Sequence, residues 1–243
     1  MLLKGGVSVG KVNGRDFAVI RFIYFDAVGT ILHPSPSVSE IYHHYALKHG
    51  YPVEFSKLKQ RIREAFGRQE GIDVGLGWKT DEAREGNRWR SIVQESFPGM
   101  SSFENCFQDL YQVFATAKAW TVEPDLDGWL DLAQSRSIRL GLASNFDHRL
   151  RNLIREFPQL QAFSEVIISS EIGWRKPAAK FYEWALIRAN HRPSQVLFLG
   201  DNLRLDVQVP REMGMHAALI SEFATSPIAY LSPEKAAEFA LLF

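Results

Sequence analysis

Cysteine is almost missing from this chain: Cys106 is the single one in 243 residues. No internal disulfide framework can form, and the chain suits a reducing compartment; Cys106 reads as a buried free thiol. Net charge is missing too. Lys+Arg and Asp+Glu number 28 each, which removes the bulk basic charge that would draw nucleic acid or an anionic membrane. Long hydrophobic runs are absent. Residues 17–25 are interrupted by Arg21 and fall far short of the roughly 20 apolar residues that span a bilayer. The apolar N-terminal start is broken at once by Lys4, Gly5 and Gly6, unlike a secretory signal. The expectation is a soluble, cytoplasmic protein with no nucleic-acid or membrane partner. Internal repeats and low-complexity tracts are also lacking.

What is present is enough apolar material, 46% of residues, for a sizeable core. Short apolar runs with strand character recur: "RFIYF" (21–25), "IRLGLAS" (138–144), "EVIIS" (165–169), "VLFLG" (196–200) and "AALIS" (217–221). Helical patterns at 147–157, 178–190 and about 204–213 separate the last four. Continuous apolar strands alternating with helices predict an α/β fold, a doubly wound (Rossmann-like) parallel sheet covered on both faces. Between the first two strands, about 34–122, no strand is legible. Helix-like segments near 37–49, 54–70, 80–96 and 101–118 predict an inserted all-helical cap, broken by Gly50, Pro52, "GIDVGLG" and "FPG". The expected division is a core of 17–33 and 122–243, a cap of 34–121, and 1–16 as a tail or an edge hairpin turning at Asn13-Gly14. Pro210 fits a helix that begins near Leu205 or Asp206, where an imino residue loses little.

In a doubly wound parallel sheet, ligands bind beyond the carboxyl ends of the strands. The first strand hands to that edge Asp26, with Gly29 and Thr30 just after; the second gives Ser144 and Asn145. The third is followed by Lys176, and the fourth gives Asp201 and, five residues on, Asp206. A carboxylate can attack phosphorus to give an aspartyl-phosphate. The transferring group is strongly anionic, and Lys176 and the Ser144 hydroxyl can hold its oxygens. Mg²⁺ favours a few hard oxygen ligands, which Asp26 and Asp201 would supply.

In order along the chain, "FDAVGTIL", "LASNFD", "GWRKP" and "LFLGDNLRLD" resemble the four motifs of the haloacid dehalogenase-like (HAD) superfamily of hydrolases. The resemblance covers roughly 17–33 and 122–225, with the insertion where helical-cap members carry their cap. It implies Asp26 as nucleophile, with Thr30, Ser144, Asn145 and Lys176 positioning the anion. It also implies Mg²⁺ held by Asp26, the Val28 carbonyl and Asp201, with Asp206 supporting the metal or orienting Lys176. One position departs. Family phosphatases place an Asp two residues after the nucleophile, and here stands Val28, which cannot transfer a proton. A positioned acid–base contributes about 10²–10⁴-fold, so His33, close behind the loop, is the candidate substitute.

The reading is a Mg²⁺-dependent phosphatase acting on a small phosphorylated molecule, monomer or homodimer. A 2-haloacid dehalogenase-type hydrolase is the alternative, since halide leaves without a proton. A catalytically weak phospho-ligand-binding or protein-interaction member, and a phosphonatase using a cap lysine, are further readings. Arg175 is expected at the surface, Trp89 and Tyr42 in cap packing, and Asp147 and His148 at a helix start. "GIDVGLGWKT" is expected to be a mobile cap loop with Trp78 and Lys79 reaching the substrate.

Overall fold

The computed structural model describes residues 11–12, 15–16 and 20–222. Strands β1 (Lys11–Val12) and β2 (Arg15–Asp16) pair antiparallel as a separate two-stranded sheet, Lys11 opposite Asp16 and Val12 opposite Arg15. The ladder is a hairpin, while the Asn13-Gly14 turn itself and residues 1–10 lie outside the described residues. β3 (Phe22–Phe25) and β4 (Leu32–Pro34) follow, then helices α1 (Val38–Lys48), α2 (Phe55–Gly75), α3 (Glu82–Ser96) and α4 (Phe103–Val113). The chain returns through β5 (Trp120–Val122) to α5 (Leu126–Ser135), β6 (Arg139–Ser144), α6 (Arg149–Glu156) and β7 (Glu165–Ile168). It ends with α7 (Ser169–Ile172), α8 (Ala179–Ala189), β8 (Val196–Gly200), α9 (Val209–Glu212) and β9 (His216–Leu219).

The main sheet has the order β7-β6-β3-β8-β9, and every neighbouring pair is parallel. β3 is therefore central, and all four of its side chains are buried. Its alternation sends Phe25 and Ile23 to one core and Phe22 and Tyr24 to the other, as a strand covered on both faces requires. Phe25 stacks on Trp129 at 5.8 Å, while the Tyr24 hydroxyl donates to the Ala185 carbonyl at 2.9 Å. Gly141, beside β3 on β6, leaves the room that the Phe22 and Tyr24 rings fill. Chain order reverses between β3 and β8, so the crevice at their carboxyl ends is the switch point where ligands bind in such sheets.

The helices of the insertion begin on side-chain caps. Ser37 and Glu40 form a capping box on α1, and Glu54 accepts from the amides of Ser56 and Lys57 at 2.9 and 2.8 Å. Asp81 accepts from Arg84 at 2.7 Å. β4 and β5 pair antiparallel, Leu32 opposite Val122 and Pro34 opposite Trp120, and so bring the two ends of the insertion together. Three-residue strands are too short to show a period, which is why this ribbon was not legible in the sequence. Helix α5 is also additional to the sequence reading, although Leu126, Trp129 and Ala133 line its buried face at helical spacing.

Two expectations about the insertion are corrected. Helix α2 runs on through Gly71 and Gly75 instead of breaking. Each glycine costs roughly 1 kcal/mol against alanine, but Gln69 and Asp73, four apart on the buried face, bond to Arg84 of α3 and hold the last turns. Nor is 76–80 a free loop. The Trp78 carbonyl accepts from Arg175 at 2.9 Å, and the Thr80 amide donates to Gly173 at 3.1 Å, so the segment is stitched to the loop before α8. Beyond β8, Asn202 accepts from the Arg204 and Leu205 amides, each at 3.0 Å, and starts a wide π-helical turn over Leu203–Gln208. Pro210 then falls in the first turn of α9, where its missing N–H leaves no bond unmade.

Candidate active site

The loop after β3 closes on itself. The Ala27 carbonyl accepts from Ile31 and Leu32 at 2.9 and 2.8 Å, and the Gly29 amide donates to Leu32 at 2.9 Å. Gly29 has a φ of +88°, and a methyl group there would overlap the Asp201 carboxylate. Glycine thus serves twice at this position: it permits the turn and lets the loops after β3 and β8 touch. Gly200 does the same for Asp206, whose carboxylate occupies the space a side chain would take.

Into this junction comes Lys176. Its Nζ donates to Asp26 Oδ1 at 2.7 Å and to Asp206 Oδ1 at 2.6 Å. All three side chains are buried, and Asp206 Oδ2 also accepts from the Asn202 amide at 3.1 Å. Asn145 fixes the lysine's backbone from the end of β6, so its immediate role is to hold Lys176. Ser144 and Thr30 are buried beside the same edge, and the Thr30 hydroxyl has no hydrogen-bond partner among the described residues. Carboxylate oxygens of Asp26, Asp201 and Asp206 all lie within 4.8 Å of one another. The structure therefore brings Asp26, Gly29, Asn145, Lys176, Asp201 and Asp206 to one rim, at the switch point.

The charges do not balance: three carboxylates face one ammonium. Burial, opposed by Lys176 but reinforced by Asp206 and Asp201, pushes the Asp26 carboxyl up to about 6. Burial and then Asp206 also raise Asp201. Burial disfavours the Lys176 ammonium, yet Asp206 and Asp26 together outweigh it and raise its affinity for the proton. A hard oxygen donor set with surplus negative charge suits a divalent cation such as Mg²⁺. Val28 contributes no acid. Its side chain lines a cavity of ≈ 230 Å³ that reaches Asn145, Trp89 and Trp120. His33 does not line that cavity; its neighbour Pro34 does, and His33 Nε2 lies 3.1 Å from Glu123 Oε2.

Arg175 is the clearest departure from the sequence reading. It is buried, not superficial, and its guanidinium pairs with Glu85 of α3 and lies 3.5 Å from Asp73 of α2. Asp147 pairs with Arg149 through contacts of 2.8 and 2.7 Å, and the His148 ring meets Glu82 at 2.7 Å. These ties between insertion and core had no local signal. Arg175 and Glu85 are 90 positions apart and His148 and Glu82 are 66 apart, and they meet only because the chain folds back on itself, whereas Asp147 and Arg149 are near neighbours within the core.

The parallel α/β sheet, the buried acid–lysine–acid contact at its switch point and the helical insertion between β4 and β5 are those of a hydrolase. Residues 20–214 match the family model of the haloacid dehalogenase-like hydrolases, and the chain belongs to that family. The human haloacid dehalogenase-like hydrolase domain-containing protein 3 is 29% identical over 212 residues, which cover 83% of this chain and 82% of the relative. In fold, the chain is similar to L-2-haloacid dehalogenase from Xanthobacter autotrophicus, with a TM-score of 0.61 and 19% identity over 92% of this chain and 88% of that one. It is also similar to the HAD hydrolase YfnB from Bacillus subtilis bound to magnesium, with a TM-score of 0.65 and 14% identity over 86% and 90%.

Proposed function

We propose that the protein is a Mg²⁺-dependent phosphatase that acts on a small phosphorylated molecule through an aspartyl-phosphate at Asp26. The observation that carries this is the grouping of Asp26, Asp201 and Asp206 within 4.8 Å, joined by the Lys176 amine. Asp26, Asp201 and the Val28 carbonyl would hold the metal, with Asp206 in support. A bound Mg²⁺ would offset the repulsion between the carboxylates and an anionic substrate. Asp26 attacks phosphorus; the Asp26 oxygen–phosphorus bond forms as the bond to the leaving oxygen breaks. Water then releases phosphate and restores the carboxylate. Lys176 orients Asp26 and, with Thr30 and Ser144, faces the transferring oxygens. The helices over 34–121 act as a cap that excludes water.

Val28 narrows the substrates. With no acid two residues after Asp26, good leaving groups such as aryl or acyl phosphates are favoured over alkyl ones. Dehalogenation of a 2-haloacid is the second reading, favoured by Val28 and the apolar cavity it faces, because halide departs without a proton. Retention of Asp201 weighs for the metal-dependent reaction. Phosphate release from aryl and acyl phosphates that stops in chelator and returns with Mg²⁺ would support the phosphatase. Halide release from 2-haloacids in chelator, without phosphate release, would replace it.

A further inference from the structure

The cavity beside Val28 has an unusual lining. Phe66, Trp89, Phe114, Trp120 and Phe146 form its walls, and Arg88, Arg149 and Arg175 enter it. Its volume of ≈ 230 Å³ exceeds the about 150 Å³ in which an apolar pocket holds a benzene ring. One ring with a short substituent fits, and a nucleotide does not.

The arginines are not equally engaged. Arg149 is neutralised locally: Nε and Nη2 both donate to Asp147, and the Tyr111 ring lies 4.0 Å from its guanidinium carbon. Behind the other two lies a cluster in which, among the described residues, Arg84, Arg88 and Arg175 share only two carboxylates, Asp73 and Glu85. Glu85 is further occupied by the Thr80 hydroxyl at 2.7 Å. Arg88 uses Nε for Asp73, at 3.1 Å, and its terminal nitrogens donate to no described residue. Its guanidinium lies 5.7 Å from the Phe66 ring centre and 5.9 Å from that of Trp89. Arg175 Nε is buried without a hydrogen bond among the described residues. A buried surplus cation is unfavourable unless an anion meets it, and here the surplus opens onto an aromatic cavity.

We propose that this cavity binds the leaving-group half of the substrate, an aromatic or similarly compact apolar body bearing a carboxylate, with Arg88 as the partner of that carboxylate. The proposal rests on the phosphatase reading for its placement. The phosphoryl group lies at Asp26, the apolar body passes Val28, and the second anion meets Arg88 between α2 and α3. The apolar walls strengthen the ion pair by excluding water. They also let ring–guanidinium stacking contribute.

Phenylacetate and its neutral amide, phenylacetamide, titrated into the full chain and followed by tryptophan fluorescence and calorimetry, test the pocket without turnover. The acid is expected to bind at least tenfold more tightly than the amide, with quenching that weakens in Trp89→Phe. Arg88→Gln is expected to erase the preference while circular dichroism shows the fold retained. Equal binding of acid and amide by the unaltered protein overturns the proposal, whatever the variant does. So does a preference that survives in folded Arg88→Gln. Phosphate release from phenyl phosphate and 4-carboxyphenyl phosphate separates the two readings. Acid-selective binding with no release of phosphate in Mg²⁺ keeps the pocket and removes the phosphatase. Release from both at equal kcat/KM keeps the phosphatase and removes the pocket.

Discussion

Asn145 and Lys176 exchange two hydrogen bonds across 31 positions of chain: Asn145 Nδ2 donates to the Lys176 carbonyl at 2.9 Å, and the Lys176 amide donates to Asn145 Oδ1 at 2.7 Å. A side-chain amide thus replaces a backbone partner, and the ammonium starts from a fixed point. Asn145→Ala removes both bonds and leaves two partly buried backbone groups unsatisfied. Urea denaturation is expected to show a loss of about 1–3 kcal/mol. Turnover of an aryl phosphate should fall even at temperatures where the variant is fully folded. An unchanged denaturation midpoint would show that water replaces the side chain without cost.

Lys176→Met leaves Asp26 and Asp206 buried with no cation. Breaking a buried pair from one side costs about 3–5 kcal/mol, and chemical denaturation in chelator should find a loss of that size. Asp206→Asn keeps one acceptor for the amine and should cost less. Equal losses in the two variants would mean that Asp206, not Lys176, organises the contact.

Acid should relieve the metal-free protein. The folded Asp26 carboxyl is raised from 3.8 to about 6, so between those values the folded state holds the extra proton. Its contribution is fully favourable below the lower value and is lost as pH rises through the upper one. The stability difference between the natural protein and Asp26→Asn, measured in chelator, should therefore shift against the natural protein as pH rises from 4 to 7. A difference independent of pH would refute the shift.

Gly29→Ala and Gly77→Ala form a matched pair. Both glycines have positive φ, +88° and +61°, but a methyl group meets Asp201 at the first and open space at the second. Left-handed backbone costs a non-glycine residue about 1–2 kcal/mol, so Gly77→Ala should be destabilised by that amount and Gly29→Ala, which must also displace the Asp201 carboxylate, by more. Only Gly29→Ala should also lose the rise in Tm that Mg²⁺ confers on the natural protein under the proposed metal reading. A rise preserved in Gly29→Ala would detach Asp201 from the metal.

Cys106 is buried on α4, and burial pushes its thiol up to about 11. The nucleophilic thiolate is scarce at neutral pH. A disulfide reagent should label the folded chain slowly at pH 8 and rapidly in denaturant. Fast labelling of the folded chain would mean that α4 opens readily.

The sheet was readable because its strands are apolar on both faces, and three of them, β3, β6 and β8, end at or just before a polar residue the sheet does not need: Asp26, Ser144 and Asp201. Lys176 was readable for its place before Pro177. What escaped depends on partners distant in sequence. Arg175 reads as one more surface cation until Glu85 and Asp73 fold against it. Gly71 and Gly75 read as helix breakers because the pairing of Asp73 with Arg84 is invisible locally. The β4–β5 ribbon is below the length at which alternation carries information.

Arg175 and Lys176 are consecutive. The first is gripped by α2 and α3, and the second is lodged between Asp26 and Asp206. One peptide unit therefore joins the roof to the reagent. Under the proposed reading, a movement of α2 and α3 away from the sheet would pull on the same loop that aims the amine, so that enclosure and readiness would change together.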